Sequence, residues 1–202
     1  MADTINQRKT IDPNTTIPPS TFAHLVVKTK NLDSTLDWFE KVIGTKVVFR
    51  NNVICFTTYD EEHHRIAFIQ LPPEAPLDHG TGTIDHVAYS YNDLGELLSN
   101  YYRLKTLGIE PVRTINHGPT ISFYYRDPNG VKLELQVDNF ATKEEANVFF
   151  NSPAFAENPI GVIVDPDKLR ADWEAGVAWE RIRERPPIPE GMTIADMRKE
   201  RA

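Results

Sequence analysis

Two short stretches decide the fold: Phe22-Ala23-His24-Leu25-Val26-Val27 and Thr83-Ile84-Asp85-His86-Val87-Ala88-Tyr89. Each is a brief apolar and β-branched run with a histidine near its middle, which predicts a buried strand with that histidine mid-way along it. An amphipathic helix follows each stretch and ends at a glycine, Gly44 or Gly108. Three more strands are predicted after each helix. The chain therefore contains a strand–helix–three-strand unit twice.

The turns between these elements are marked by asparagine, aspartate, proline and glycine. The first helix is expected over 31–44, and the second begins near Leu94. The later strands are expected at Thr45–Arg50, Val53–Thr58 and Arg65–Leu71 in the first unit, and at Glu110–Thr114, Thr120–Arg126 and Val131–Val137 in the second.

Outside the repeat we expect two further regions. Residues 1–20 are polar and proline-containing, which predicts a flexible arm. One domain is expected over 21–138, with modules at 21–71 and 83–138. A helical extension then follows over 139–202, with helices opening at Thr142 and Asp165 and an extended, frayed end after 186. We expect the extension to cover the barrel or to meet a second subunit.

Composition narrows the function classes. With 22 Lys and Arg against 29 Asp and Glu, the net charge of −7 disfavours nucleic acid and anionic membranes as partners. No apolar run approaches the roughly 20 residues of a membrane span, and the N-terminus does not look like a secretory signal. Cys55 is the single cysteine, which excludes an intrachain disulfide and fits a reducing cytoplasm.

The residues that could carry chemistry are histidines and one glutamate. All six histidines fall between positions 24 and 117. Glu134 lies in a strand whose alternation puts Lys132, Glu134 and Gln136 on one face. That face is either a solvated outer surface, which periodicity favours, or a polar wall of a cavity. Two imidazoles with one carboxylate suit divalent iron, with manganese or zinc as alternatives, and the sequence does not choose between them.

The most specific segment runs from His117 through Tyr124 and the Asp127-Pro128-Asn129-Gly130 turn to Glu134. It resembles the signature of the type I extradiol ring-cleavage dioxygenases: a histidine, an apolar–Tyr pair, an acidic-Pro-x-Gly turn and a glutamate at fixed spacings. The turn alone is common throughout the vicinal oxygen chelate superfamily. A second match is His63-His64-Arg65-Ile66-Ala67-Phe68, which is similar to the His-His-x-x-Ala-Phe strand of the same enzymes.

The resemblance implies an α+β fold in which paired βαβββ modules form one open, metal-centred barrel. It implies Fe(II), with Mn(II) as the alternative. Many such enzymes contain two barrels and this chain has one, so a homodimer or larger homo-oligomer is expected. The implied roles are metal ligation for His24, His86 and Glu134, acid–base chemistry for His64, which could exchange roles with His63, and substrate hydrogen bonding for His117 and Tyr124. His79 has no matching role and is expected in a loop.

These features predict an extradiol dioxygenase that takes a catechol-type substrate and O2 and cleaves the ring to a hydroxy-muconic semialdehyde type of product. Two alternatives stay open. A glyoxalase-like isomerase would need a second carboxylate, and aligning the two units puts Phe68 opposite Glu134. A metal-free binding or resistance module would leave His117, Tyr124 and the histidine pair unexplained.

Overall fold

The computed structural model describes residues 22–75 and 85–200. The expected N-terminal arm, His79 and the start of the second module's leading stretch lie outside these residues. The first module is a four-stranded sheet in the order β1-β4-β3-β2, in which only β1 and β4 are parallel. Its elements are β1 (Leu25–Thr29), α1 (Leu32–Ile43), β2 (Lys46–Arg50), β3 (Ile54–Thr58) and β4 (Ile66–Gln70).

The second module repeats this order, which confirms the predicted duplication. Its sheet runs β5-β8-β7-β6, with β5 and β8 parallel, and a short strand from the extension, β9 (Val162–Ile163), is added beside β6. Strand β6 begins later than expected. The elements are β5 (Val87–Tyr91), α2 (Leu94–Thr106), β6 (Arg113–Asn116), β7 (Thr120–Arg126) and β8 (Lys132–Asp138).

Local sequence explains where the helices begin and end. The Asn31 side chain accepts a hydrogen bond from the Ser34 N–H at the start of α1, and Asp93 caps α2 in the same way through Glu96. Gly44 ends α1 with φ +70°, a left-handed conformation that glycine adopts without strain. One correction concerns the leading histidines: His24 and His86 each lie one residue before their strands, not mid-way along them.

A buried polar contact joins the two modules. Asn129, in the turn between β7 and β8, inserts its side chain into the first module. Its Oδ1 accepts a hydrogen bond from the Thr29 hydroxyl at 2.8 Å, and its Nδ2 donates to Thr35 Oγ1 at 3.0 Å and to Asp127 Oδ2 at 3.1 Å. Thr29 and Thr35 are fully buried, so the Asp-Pro-x-Gly turn connects the modules as well as reversing the chain.

The extension is mainly helical, with helices opening at the predicted Thr142 and Asp165 caps. Two features differ from expectation. The extension contributes strand β9, which pairs antiparallel with β6, and the segment expected to fray contains α7, whose Met197 is fully buried. No helix in the part of the chain described here is long and apolar enough to cross a membrane. The elements are α3 (Lys143–Phe150), α4 (Pro153–Glu157), β9 (Val162–Ile163), α5 (Pro166–Glu174), α6 (Trp179–Ile182) and α7 (Ile194–Met197).

Candidate functional site

Glu134 is buried within a row of polar side chains that crosses the second sheet. Tyr124 on β7 is directly opposite Glu134, and Arg113 on β6 is opposite Tyr124. Glu134 is 5% exposed and Tyr124 is 2% exposed. The solvated-surface interpretation of this face is therefore wrong. Periodicity identifies a polar face of a strand, but only the surrounding elements decide whether water reaches it.

Two carboxylates flank His86. Its Nδ1 lies 2.6 Å from Asp85 Oδ2, and its Nε2 lies 2.8 Å from Glu134 Oε2. A neutral imidazole has one N–H and cannot donate to both carboxylates. Either a hydrogen shared between Nε2 and Glu134 or a cation bound by both is therefore needed to hold these two atoms together. A carboxylate on the far nitrogen is also usual for metal-binding histidines, because it fixes the ring and its tautomer.

His117 extends this cluster through Tyr124. The Tyr124 hydroxyl lies 2.8 Å from His117 Nε2, which is itself 3.9 Å from Glu134 Oε1. On the far side of the ring, His117 Nδ1 lies 2.5 Å from the carbonyl oxygen of Ile160. Burial lowers the pKa of His117 below its ordinary value, which favours the neutral ring. Burial, and then the charge of Glu134, raise the pKa of Tyr124, so its hydroxyl stays protonated.

A second cluster lies at the corresponding end of the first module. The His24 and His64 rings are 4.5 Å apart between centroids, and His64 stacks on Phe56 at 4.6 Å. His63 Nδ1 lies 2.5 Å from His64 Nδ1, but its side chain is 72% exposed, whereas His64 is half-buried. Burial, then the charges of His63 and His24, lower the pKa of His64.

The structure thus gathers the predicted site residues into two groups. His86, Glu134, His117 and Tyr124 form one, and His24 and His64, with His63, form the other. Over residues 22–75 and 85–200, no group of three or more His, Cys, Asp or Glu side chains stands close enough to hold a metal ion. The ligand set of His24, His86 and Glu134 stays a prediction, with two of its three members in contact.

The predicted alignment of Phe68 with Glu134 is wrong by one residue. In the first sheet Val26 pairs with Ala67, and in the second sheet Ala88 pairs with Glu134. Val26 and Ala88 each lie two residues after the leading histidine of their module. Ala67 therefore occupies the position that corresponds to Glu134. Phe68 is fully buried and packs edge-on against Phe39 at 4.9 Å. The two units differ in loop length, so the sequence alone could not settle this register. Alanine, like phenylalanine, cannot bind a metal.

Sequence reasoning missed several residues that support the site. The Arg113 guanidinium lies over the Tyr124 ring at 4.5 Å. The Lys132 ammonium pairs with Asp85 at 2.9 Å and with Glu200 of the extension at 3.5 Å. Hydrogen bonds from His86 and then Lys132 lower the pKa of Asp85 to about 2. The position of Asp85 beside His86 and the strand alternation of Arg113 were usable signals.

The carbonyl of Ile160 offered no comparable signal. A backbone oxygen carries no residue-type pattern, and its contact with His117 depends on how the extension folds back. The contribution of the extension to this site is therefore visible only in three dimensions.

Comparisons with known proteins identify the family of the chain. Residues 21–135 match the family model described as Glyoxalase/Bleomycin resistance protein/Dioxygenase superfamily. Biphenyl-2,3-diol 1,2-dioxygenase 2 of Rhodococcus globerulus is 42% identical over 80% of this chain and 85% of its own, and Biphenyl-2,3-diol 1,2-dioxygenase 3 is 39% identical over 77% and 83%. A lactoylglutathione lyase of Neisseria meningitidis is 24% identical over 55% of this chain and 86% of its own.

Proposed function

The chain belongs to the glyoxalase/bleomycin resistance protein/dioxygenase superfamily, and from this premise we propose that it is an extradiol dioxygenase. Its substrates are a catechol-type aromatic diol and O2. Both oxygen atoms enter the product, and meta cleavage gives a hydroxy-muconic semialdehyde type of compound. The observation that carries this proposal is the buried cluster in which Glu134 contacts His86 and lies across from Tyr124 and His117. The similarity to two biphenyl-2,3-diol dioxygenases over most of the chain supports it.

The donor set of this cluster fits a divalent metal. His86 Nε2 and Glu134 Oε2 face each other at 2.8 Å, a contact between two acceptors once Asp85 has taken the N–H of His86. We infer that His86, Glu134 and His24 would hold Fe(II), with Mn(II) as the alternative. When bound, such a metal supplies a Lewis acid with open positions for the diol and O2.

The protein's own groups prepare the diol. Tyr124 keeps its proton because burial and Glu134 raise the pKa of the phenol, so it donates a hydrogen bond to a substrate oxygen. His117 is neutral and half-buried, and its Nε2 accepts a hydrogen bond from a substrate hydroxyl or from Tyr124. Together these side chains orient the two oxygens of the diol, and His117 Nε2 receives the proton that the diol loses.

His64 is proposed as the acid–base group beside the bound oxygen. It is held by stacking on Phe56 and by the His24 ring, whereas His63 is largely exposed. Burial, then the charges of His63 and His24, lower the pKa of His64, so its ring is neutral near pH 7 and free to take up a proton. In this proposal His64 rather than His63 takes up a proton beside the bound oxygen and delivers it as the ring opens.

The isomerase alternative loses support from the sheet register. That chemistry would use a second carboxylate at the position of the first module that corresponds to Glu134, and Ala67 occupies that position. A homodimer or larger oligomer, in which a neighbouring copy replaces the second barrel of longer relatives, remains part of this proposal. The cytoplasmic location stays a prediction.

Oxygen uptake tests the function directly. The protein is purified without oxygen, loaded with ferrous iron and mixed with mono-, bi- and polycyclic catechols. We expect stoichiometric O2 consumption with a new yellow product, and the panel ranks the ring systems. Tight iron binding with no uptake by any catechol would reject the proposal.

A matched pair of variants tests the acid–base assignment. His64→Phe should keep iron and substrate binding and lower kcat by about 10²-fold or more, the usual worth of general acid–base catalysis. His63→Phe, at the exposed neighbouring position, should turn over like the parent protein. Loss of turnover in His63→Phe with normal turnover in His64→Phe would exchange the two roles.

A further inference from the structure

A turn of the C-terminal extension, Asn158–Gly161, lies against His117, and we propose that it is a positioning element for this histidine. In this proposal the Ile160 carbonyl holds the hydrogen of His117 on Nδ1, so that Nε2 faces Tyr124 and the diol as an acceptor. The catalytic part of this inference rests on the proposed dioxygenase function. The tautomer itself does not, because it follows from the contacts of the protein alone.

The tautomer follows from the chemistry of the two partners. A carbonyl oxygen can only accept a hydrogen bond, so Nδ1, at 2.5 Å from the Ile160 oxygen, must carry a hydrogen. In the neutral ring, Nε2 then has a lone pair and no hydrogen. The Tyr124 hydroxyl at 2.8 Å from Nε2 is accordingly the donor in that pair. The reverse tautomer would set two acceptors against each other on one side of the ring.

The turn that carries this carbonyl is itself fixed by a buried asparagine. Asn158 is 6% exposed, and its Oδ1 accepts hydrogen bonds from the N–H groups of Ile160 at 3.0 Å and Gly161 at 2.9 Å. Its Nδ2 donates to the Gly161 carbonyl at 2.9 Å. Arg185 then ties the turn to the histidine segment, since its Nη1 donates to the carbonyls of Asn158 at 2.6 Å and of His117 at 3.4 Å.

Gly161 allows the turn to lie directly on the backbone that carries the histidine. Its φ is +106°, and a Cβ atom at this position would stand 2.4 Å from the Asn116 carbonyl oxygen and 2.7 Å from His117 Cα. Strand β9 follows at once and pairs with β6, with Val162 opposite Asn116. Any side chain at position 161 must therefore push the turn, and the Ile160 carbonyl, away from His117.

This arrangement separates the two sides of the ring. Nδ1 is occupied by a backbone group of the extension, and Nε2 is directed to the reacting end of the cluster. An imidazole presented in this way accepts the hydrogen of a diol hydroxyl without first changing its tautomer or rotating. The extension thus contributes to the site through a main-chain oxygen, in addition to covering the edge of β6.

The variant test uses two glycines with left-handed backbones. Gly161→Ala should displace the Ile160 carbonyl and lower kcat by about 10²-fold, the usual cost of a misplaced catalytic group, with a much smaller change in KM. Gly176→Ala is the control, because Gly176 has φ +69° and open space around its Cβ position. It makes the same Gly→Ala change at a left-handed position without a clash, and it should keep the parent kcat and KM.

A direct readout does not depend on turnover. Proton–nitrogen NMR spectra of the full chain before iron is added report which nitrogen of each histidine carries hydrogen, and His117→Gln identifies the His117 signals. We expect Nδ1–H in the parent protein and in Gly176→Ala, and a loss of that pure pattern in Gly161→Ala.

Each result decides one question. An Nε2–H tautomer in the parent protein overturns the inference whatever the variants do, and so does a Gly161→Ala protein with parent-like kcat and tautomer. Should Gly161→Ala fail to fold, the tautomer of the parent protein alone decides. If no catechol supports oxygen uptake while the Nδ1–H tautomer is found, the dioxygenase proposal fails and the positioning of His117 stands.

Discussion

Asn129→Ala removes the side chain that joins the two modules, and its effect on stability can be worked out from the contacts. Three hydrogen bonds are lost, to Thr29, Thr35 and Asp127. At about 0.5–1.5 kcal/mol each, they sum to roughly 1.5–4.5 kcal/mol. The Thr29 hydroxyl lies 2.8 Å from Thr35 Oγ1 and recovers one partner there. Because the other groups stay buried without theirs, we expect the free energy of unfolding to fall by about 2–4 kcal/mol.

The assay is urea and thermal unfolding of the parent and variant proteins. For a chain of this size the loss corresponds to a fall in Tm of about 4–16 °C. Asn147→Ala is the matched control, because Asn147 lies exposed on α3, and it should stay within about 0.5 kcal/mol of the parent. Oxygen uptake of the folded variant at low temperature should persist, since Asn129 lies outside the site cluster.

A loss below about 1 kcal/mol, with the fold intact by circular dichroism, would refute the reasoning. It would mean that water or rearranged threonines satisfy the same groups at little cost. An equal loss in Asn147→Ala would refute it as well, because the effect would then not come from the contact between modules.

Three more outcomes are expected. Tyr124→Phe should lower kcat by about 10²-fold, because it removes a positioned hydrogen-bond donor. Tyr125→Phe is the control and should keep the parent kcat, since the Tyr125 hydroxyl finds no hydrogen-bond partner among residues 22–75 and 85–200. Parent-like oxygen uptake by Tyr124→Phe would contradict the role assigned to Tyr124. Ala67→Glu should bind iron yet lose oxygen uptake relative to Ala67→Gln, because a second carboxylate would fill an open coordination position of the metal. Equal oxygen uptake by the two variants would show that position 67 does not control an open coordination position. Burial would raise the pKa of Glu200, but hydrogen bonds from Arg126 hold that pKa below its ordinary value of 4.5. The stabilisation that the Arg126–Glu200 pair gives is therefore present above pH 4.5 and is lost as the pH falls below 4.5. Urea unfolding of parent and Glu200→Gln proteins should differ by about 0.5–1 kcal/mol at neutral pH and converge in acid, whereas a constant difference would contradict this linkage.

The duplicated architecture could be predicted from the sequence because it depends on local signals. Strand runs, helix periodicity and helix-ending glycines recur in the same order, and each signal concerns neighbours along the chain. Strand β6 continues past the predicted Thr114 to Ile115 and Asn116, which are the two residues that pair with β9 of the extension. Pairing between distant segments leaves little trace in local composition.

The site was predicted less completely, for a related reason. The spacing of His117, Tyr124 and Glu134 is local to one hairpin, and the structure brings these residues together. Whether Glu134 faces water or the interior depends on elements remote in sequence, and alternation alone favoured the wrong answer. The residue of the first module that corresponds to Glu134 depends on loop lengths that differ between the modules. The sequence alignment of the two modules therefore places Phe68 there, one residue away from the Ala67 that the strand pairing gives.

The addition of β9 beside β6 makes the two halves of a repeated architecture unequal in local stability. In the second sheet, β6 has a neighbouring strand on each side, β7 from its own module and β9 from the extension. Its counterpart β2 ends the first sheet, and in the described part of the chain no strand pairs with its outer edge; Val47, Val48 and Phe49 are about half exposed there. Amide hydrogens along that edge should exchange through small fluctuations, while those of β6 require a larger opening. The module that carries His24 and His64 is thus expected to open at its outer sheet edge more readily than the module that carries Glu134.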